Sequence, residues 1–581
     1  MSLDPKYVPP TLPNAIRCLS GDHGRGFTFL RADGTEHKSS FAKLCDATER
    51  RAAQLHAAGL VKGDRVALVV PDPEQFVTTF LGAIMGGIIP VPMYPALSFK
   101  NVESYHDTVS HIAKASGAKL LVTQTSMRQF VDPVKPRVDT LREIVDVEEL
   151  AKGDHGYVDV EVAPNDIAFL QFTSGSTSRP KGVVVTNRNL AWNASCFMLQ
   201  GLQRTTADVA VSWLPLFHDM GLIGFVCGPL FANIESVFIP TASFIRNPKI
   251  WVDKLHQHRA TITFAPNFAY ALAVKRLKDK DVAELDLSCV LRAGCGAEPI
   301  QAQTLRDFST KLAPAKFDPK AFIPSYGMAE ATLAITFVPC DVGVNGDIID
   351  KKGLESGTAK ALAAGAEGSH ELTNCGRPFK GHKVLIVDDE TNKVLGDRQV
   401  GHIITWGPSI TSGYYNEPEL TKQSWRTGPD GETWLYTGDL GYMVDGDLFV
   451  CGRLKDMIIV RGRNFYPNDI EWVVSELPGV RRGNVVAFPT EVNGEEQLVV
   501  AAEAHASEAE ALKTTIAQAV TEHFSLAPHE VITVPQGTLP RTSSGKPQRK
   551  KTRQMYEDGQ LARARSVQGT AGTTEDAGAS A

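Results

Sequence analysis

No Cys-x-x-Cys pair occurs in this chain of 581 residues, and its nine cysteines are scattered from Cys18 to Cys451. Zinc ribbons and disulfide frameworks need close, repeated cysteine spacings, so these read as reduced thiols of a cytoplasmic protein. Positive charge is not in excess either: 60 Lys and Arg against 66 Asp and Glu leave a formal net charge of −6. That balance gives no support to nucleic acid or an anionic membrane as partner, because either needs a basic patch that releases counterions. Long hydrophobic runs are missing. The most apolar window, Leu222 to Pro240, is broken by Gly, Pro, Asn and Glu, so no integral membrane segment is expected. Met1-Ser2-Leu3-Asp4-Pro5 has neither the basic start nor the apolar core of a signal peptide. Also absent is Gly-x-x-x-x-Gly-Lys-Ser/Thr, which removes the P-loop NTPase reading, and the kinase reading falls with it.

A hydrophobic share of 43% with 22% charged residues describes a soluble globular protein, and the length predicts two or three domains. Arg65-Val-Ala-Leu-Val-Val-Pro, Lys119-Leu-Leu-Val-Thr and Ser236-Val-Phe-Ile-Pro alternate with Ala-rich amphipathic runs such as Phe41 to Leu60. This strand-then-helix rhythm predicts an α/β fold, with layered sheets and helices in a large body over residues 1–454. A smaller α+β unit is expected over 455–565. It has a strand at Met457 to Val460, a helix from about Asn468 to Leu477, a strand at Val485 to Phe488 and a helix from Glu508 to Phe524. Residues 566–581, rich in Gly, Ala, Thr and Ser, are expected to be a disordered tail. Between Pro339 and Thr373 periodicity is weak, as in an insertion or a tolerated surface excursion. The basic run Arg549-Lys550-Lys551-Thr552-Arg553 reads as a solvated helix face or a docking edge for an acidic partner.

The densest chemistry lies in Thr173-Ser174-Gly175-Ser176-Thr177-Ser178-Arg179-Pro180-Lys181-Gly182, which follows the apolar run Ile167-Ala168-Phe169-Leu170. Glycines let backbone N–H groups approach phosphate oxygens, while hydroxyls and a lysine add donors and charge. The loop predicts a nucleoside triphosphate; a flexible Ser/Gly surface loop between a strand and a helix would share its composition.

Four further motifs follow in order: Ser325-Tyr326-Gly327-Met328-Ala329-Glu330-Ala331-Thr332, Tyr436-Thr437-Gly438-Asp439-Leu440-Gly441, Gly452-Arg453-Leu454-Lys455-Asp456 and Pro540-Arg541-Thr542-Ser543-Ser544-Gly545-Lys546. With the phosphate loop, these resemble the adenylate-forming superfamily of acyl-CoA synthetases, luciferases and nonribosomal adenylation domains, over about residues 10 to 560. The resemblance implies that a carboxylate attacks the α-phosphate of ATP, giving an acyl-adenylate and pyrophosphate. Thr173, Ser174, Gly175, Ser176, Thr177 and Lys181 would then hold the β- and γ-phosphates, and Glu330 would bind Mg²⁺. Tyr326, Gly327 and Met328 with the turn Gly296-Ala297-Glu298 would enclose adenine, and Asp439 and Arg453 would bind the ribose. Lys546 would stabilise the charge developing between carboxylate and α-phosphate. Lys455 would be the hinge on which a mobile C-terminal domain turns.

Trp213-Leu-Pro-Leu-Phe-His218-Asp219-Met-Gly-Leu222 resembles the stretch that lines the acyl pocket in this superfamily, with His218 positioning the carboxylate. The run Val460-Arg-Gly-Arg-Asn-Phe-Tyr-Pro-Asn-Asp-Ile-Glu471 resembles that of fatty acyl-AMP ligases. The segment near 339–373 sits where that branch carries an extra motif disfavouring CoA. A medium- to long-chain fatty acid as substrate and an acyl carrier protein as acceptor are therefore expected. A long-chain acyl-CoA synthetase is the alternative, and a binding protein that has lost its chemistry is a third reading. Ser178 departs from the superfamily, where glycine is usual; a positive φ there would cost about 1 kcal/mol and weaken ATP binding.

Overall fold

Arg65–Val69 is a buried strand in parallel pairing with Ile89–Pro92 and Leu120–Thr123, and Glu143–Asp146 completes a four-stranded sheet. Strands covered on both faces read as continuous apolar runs, which is why these segments stood out in the sequence. The computed structural model describes residues 8–562 apart from 32, 97–101, 153–154, 158, 174–178, 461–462, 493–494, 505–508 and 543–545. Ser174, Gly175, Ser176, Thr177 and Ser178 of the phosphate loop, and the expected tail, lie outside the described residues.

The second sheet has nine strands. Six run parallel, in the order Phe322–Gly327, Arg292–Cys295, Ile262–Ala265, Val209–Ser212, Glu235–Phe238 and Gly26–Leu30, with antiparallel strands at both edges. Helix Phe41–Ala57 starts where Ser40 Oγ accepts the Lys43 N–H, and its apolar face packs on helix Pro73–Met85. The phosphate loop joins Ile167–Thr173 to Lys181–Thr186, an antiparallel hairpin. The loop therefore leads into a strand, so no helix dipole contributes at its end.

Lys383–Val387, Gly401–Trp406, Thr433–Val444, Trp425–Thr427 and Asp447–Arg453 form an antiparallel sheet that was not legible in the sequence. Beyond it stands the smaller C-terminal domain, completing a mixed α/β fold with a large N-terminal domain. The smaller domain contains strand Ile458–Val460, helix Pro467–Ser475, strands Val480–Val492, Glu495–Ala504 and Glu530–Val534, and helix Ala509–Phe524. Its own core is built from Ile458, Ile470, Leu498, Val500 and Ile516. Among the described residues no helix is long and apolar enough to cross a membrane.

The weakly periodic stretch is ordered: Gly346–Asp350 pairs antiparallel with Ser369–Thr373 around helix Lys351–Glu355. Ile349, Leu354 and Leu372 share a core with Leu440, Tyr442 and Tyr466, and Tyr466 belongs to the smaller domain's first motif. Around that core, Glu355 pairs with Arg463 at 2.7 Å, His370 lies 3.5 Å from Asp469, and the Lys351 ammonium sits 5.1 Å from the Phe524 ring centroid. Each partly exposed ion pair is worth at most about 1 kcal/mol, whereas burying one Leu or Ile gives about 1.5–3, so the apolar contact dominates. Of the basic run, Arg549 turns inward onto Glu471 and Asp456, while Lys550 and Lys551 face solvent.

Candidate functional site

Ligands of open α/β sheets bind beyond the carboxyl ends of the parallel strands, and several of the described residues singled out in the sequence lie there. Trp213 to Asp219 leaves the end of Val209–Ser212, Gly296-Ala297-Glu298 leaves Arg292–Cys295, and Tyr326-Gly327-Met328 ends Phe322–Gly327. A Cβ on Gly296 would lie 2.8 Å from Ser325 Oγ, so only glycine lets these two strand ends approach so closely. Ala297 follows at φ +69°. The Glu298 carboxylate accepts the Phe268 N–H at 2.6 Å.

From the antiparallel sheet come Asp439 and Arg453, cross-strand neighbours with Arg453 Nε 3.4 Å from Asp439 Oδ1. The Tyr326 hydroxyl donates to Asp439 Oδ2 at 2.6 Å. Asp439 is buried, while the Arg453 side chain is 48% exposed, leaving donor capacity for a ligand. The Asp439 carboxylate raises the Arg453 pKa, so this guanidinium stays charged.

Glu330 lies in a single turn, Ala329–Ala331, whose carbonyl accepts from the Thr411 backbone N–H at 3.0 Å and from its hydroxyl at 2.8 Å. Thr332 follows at φ +71°, anchored by its hydroxyl to the Ser409 carbonyl at 2.6 Å. Strain of this kind is retained where the surroundings over-determine the backbone. The Glu330 carboxylate accepts from the Tyr414 hydroxyl at 2.8 Å, and Lys181 Nζ stands 4.9 Å from the centre of the Tyr414 ring. Burial pushes the Glu330 carboxyl above the usual range and the Tyr414 hydrogen bond opposes it. Tyr414 thus links the lysine at the end of the phosphate loop to the carboxylate 84 positions before it. Neither Tyr414 nor Thr411 was found by sequence reasoning.

Lys546 closes a tight turn, its N–H donating to Thr542 Oγ1 at 3.0 Å while its carbonyl accepts from the Thr542 N–H at 2.8 Å. It reaches from the smaller domain toward the strand ends. Its side chain is open to water in the cleft, yet crowding protein, and secondly the Arg453 guanidinium, lower its pKa against the pull of Asp219, Glu298 and Asp439. A lysine in an open cleft remains an ammonium. Burial, with Lys546 nearby, holds the His218 imidazole down at about 3, so it is neutral at pH 7. Lys455 lies beyond Arg453 in the turn Leu454–Asp456, close enough to Lys181 to lower that residue's pKa, after burial.

The stretch after Leu222 continues as a π-helical turn, Ile223–Cys227, and helix Gly228–Ala232. Within Gly221 to Leu230 every residue is buried except Gly224, where an added Cβ would meet only Leu333 Cδ2, at 3.7 Å. Gly224 is thus the one partly accessible position of this buried apolar stretch, bordered by Leu333. Trp213 stacks on Phe244, centroids 3.7 Å apart.

A cleft with a cationic lysine from a second domain, a carboxylate-bearing turn and an Asp–Arg pair at the strand ends defines an adenylate-forming enzyme. Residues 22–415 match the family model described as AMP-binding enzyme, and residues 455–566 match that of the Disco-interacting protein 2-like AMP domain. The chain is 35% identical to a Caulobacter vibrioides protein named "Putative acyl-CoA synthetase", covering 94% of this chain and 95% of that one. It is 35% identical to the long-chain-fatty-acid–AMP ligase FadD26 of Mycobacterium marinum, covering 84% and 86%. It is 30% identical to the medium-chain-fatty-acid–[acyl-carrier-protein] ligase JamA of Moorena producens, covering 92% and 93%. A solved structure from work on fatty acyl-adenylate ligases of E. coli and L. pneumophila superposes with a TM-score of 0.89 at 32% identity, over 95% of this chain and 99% of that one. The chain belongs to the AMP-binding enzyme family and, within it, to the fatty acyl-AMP ligases.

Proposed function

We propose that this enzyme activates a medium- to long-chain fatty acid as its acyl-adenylate and then passes the acyl group to the phosphopantetheine thiol of an acyl carrier protein. The fatty-acid carboxylate attacks the α-phosphate of ATP, the bond to pyrophosphate breaks, and the thiol later displaces AMP from the acyl carbon. The observation that carries this reading is Lys546 standing among Asp219, Glu298, Asp439 and Arg453, the charge environment in which an ammonium can bridge carboxylate and α-phosphate.

Asp439 accepts from the ribose hydroxyls and Arg453 donates to the same sugar. Tyr326, Gly327 and Met328 receive adenine against Gly296 and Ala297, and neutral His218 helps to orient the carboxylate. The phosphate loop, from Thr173 through Ser174, Gly175, Ser176 and Thr177 to Lys181, holds the departing pyrophosphate. Glu330 suits Mg²⁺: its carboxylate is fixed by Tyr414, and burial makes an added positive charge favourable there. A carboxylate oxygen is a ligand type that a hard cation such as Mg²⁺ takes alongside phosphate oxygens and water. When bound, Mg²⁺ neutralises phosphate charge.

The acyl chain enters beside Gly224 and Leu333, where each buried methylene adds about 0.8 kcal/mol, so chain-length preference is broad. We read residues 455–565 as a domain that swings about Lys455 between half-reactions, and residues 346–373 as a clamp on it. The clamp favours a carrier protein over CoA: it grips Arg463, Tyr466 and Asp469 of the motif that marks this branch. All nine cysteines are free, in keeping with a cytoplasmic location. Fatty-acid-dependent exchange of pyrophosphate into ATP tests the first half-reaction. Its absence across chain lengths would reject the proposal.

A further inference from the structure

Asp439 sits on a bulge, and a buried imidazole shapes that bulge. Strand Gly401–Trp406 pairs His402 with Leu440 and Ile404 with Tyr436, so Thr437, Gly438 and Asp439 are looped out between two regular pairs. Three hydrogen bonds close the loop. The Thr437 hydroxyl donates to the Ile403 carbonyl at 2.8 Å, the Asp439 N–H donates to Thr437 Oγ1 at 3.1 Å, and the Gly438 N–H donates to His402 Nε2 at 2.8 Å. Gly438 adopts φ +79°, and a Cβ there would meet nothing within 4 Å, so backbone conformation rather than space calls for glycine.

Because His402 Nε2 accepts from a backbone N–H, its proton must be on Nδ1, which lies 2.8 Å from Asp389 Oδ1. Asp389 is held in turn by Arg426 at 2.7 Å, and the Arg426 guanidinium lies over the Tyr436 ring, 3.6 Å from its centre. His402 is buried, and the charged or titratable groups facing it are Asp389, Arg426, Tyr436 and, across the bulge, Asp439. The chain Arg426, Asp389, His402, Gly438 therefore ends one residue from the carboxylate that meets Tyr326 and Arg453. An imidazole with a carboxylate behind it and a backbone N–H in front has a fixed tautomer and a fixed direction.

We propose that His402, oriented by Asp389, is a positioning residue that holds the Thr437–Asp439 bulge in the shape that receives the nucleotide sugar. The inference rests on the ribose role proposed for Asp439. His402 touches no substrate atom; it acts through the Gly438 N–H.

The test uses the full-length enzyme and a non-hydrolysable ATP analogue, with affinity measured by calorimetry and KM for ATP and kcat measured separately. His402→Ala takes the acceptor from the partly buried Gly438 N–H and is expected to weaken analogue binding and raise KM about tenfold. A loss confined to ground-state binding leaves kcat within about twofold. His402→Gln carries a carbonyl that can accept from Gly438 and should recover most of the affinity. Nitrogen-15 spectra of imidazole-labelled enzyme should show His402 protonated on Nδ1 alone at neutral pH. Wild-type affinity in His402→Ala, equal weakening in the Ala and Gln variants, or a proton on Nε2 would overturn the inference. If His402→Ala does not fold, His402→Gln decides: near-wild-type affinity supports the role and a tenfold loss rejects it. Asp439→Ala is measured alongside; if that variant binds the analogue normally, the ribose assignment fails whatever His402 does.

Discussion

Tyr414 joins two sites that lie far apart in the chain, its hydroxyl 2.8 Å from Glu330 Oε1 and its ring 4.9 Å from Lys181 Nζ. The hydroxyl stabilises the ionised carboxylate against a burial that favours protonation. Tyr414→Phe removes that donor, so the Glu330 carboxyl should rise further. A hydrogen bond to a charged group is worth about 1.5–3 kcal/mol, predicting roughly a tenfold or larger increase in the Mg²⁺ concentration for half-maximal rate. The acid limb of the rate profile should move to higher pH. Magnesium titrations at several pH values measure both effects.

Lys546→Ala should lower the rate of acyl-adenylate formation by at least about 10²-fold while leaving ATP-analogue affinity near that of the wild type. The reason is geometric: Lys546 arrives on a turn of the smaller domain, whereas the proposed ribose contacts Asp439 and Arg453 belong to the antiparallel sheet. Single-turnover pyrophosphate release and calorimetry separate the two quantities. An unchanged release rate would refute the assignment.

The clamp on the smaller domain predicts an ordering of variants. Leu354 is the residue of helix Lys351–Glu355 that is buried in the shared core, so Leu354→Ala should loosen the contact by about 2–5 kcal/mol. Glu355→Ala removes one partly exposed ion pair and should cost about 1 kcal/mol or less. Proteolysis near Lys455 should accelerate strongly in the first and little in the second, and any gain in acyl-CoA formation should follow the same order.

His382 supplies a pH prediction. It is buried, with Nε2 2.7 Å from Ser409 Oγ, and burial holds its imidazole down at about 4. An unfolded imidazole takes up its proton near pH 6.5, so between about 6.5 and 4 the unfolded chain binds more protons than the native one. The stability His382 contributes is therefore complete above about pH 6.5 and declines as pH falls toward 4. Thermal unfolding across that range should show Tm dropping with acidification, and less steeply in His382→Gln.

The parallel sheets were legible because buried strands such as Arg65–Val69 are nearly continuous apolar runs. The strands of the antiparallel sheet were not. Gly401–Trp406 and Thr433–Val444 are interrupted by glycines and by the bulge at Thr437 to Asp439, and only pairing in space makes them one element. Residues 346–373 hid their order for another reason: strand Gly346–Asp350 buries only Ile349, and its core is completed by Tyr466 from the other domain. Asp439, Arg453, Glu330 and Lys546 could be named from motifs, and the structure brings the first two together. Tyr414 and His402 could not, because their roles come from partners dozens of positions away: Glu330 for Tyr414, and the Gly438 backbone for His402. No local pattern marks such a pair.

The most direct test of the central claim is mass spectrometry of the products formed from a panel of fatty acids with ATP and Mg²⁺, alone, with CoA, and with a holo acyl carrier protein. The account predicts acyl-adenylate in every arm, with broad chain-length tolerance, and conversion to thioester with the carrier protein but not with CoA. Rapid acyl-CoA formation at the expense of acyl-adenylate would contradict it.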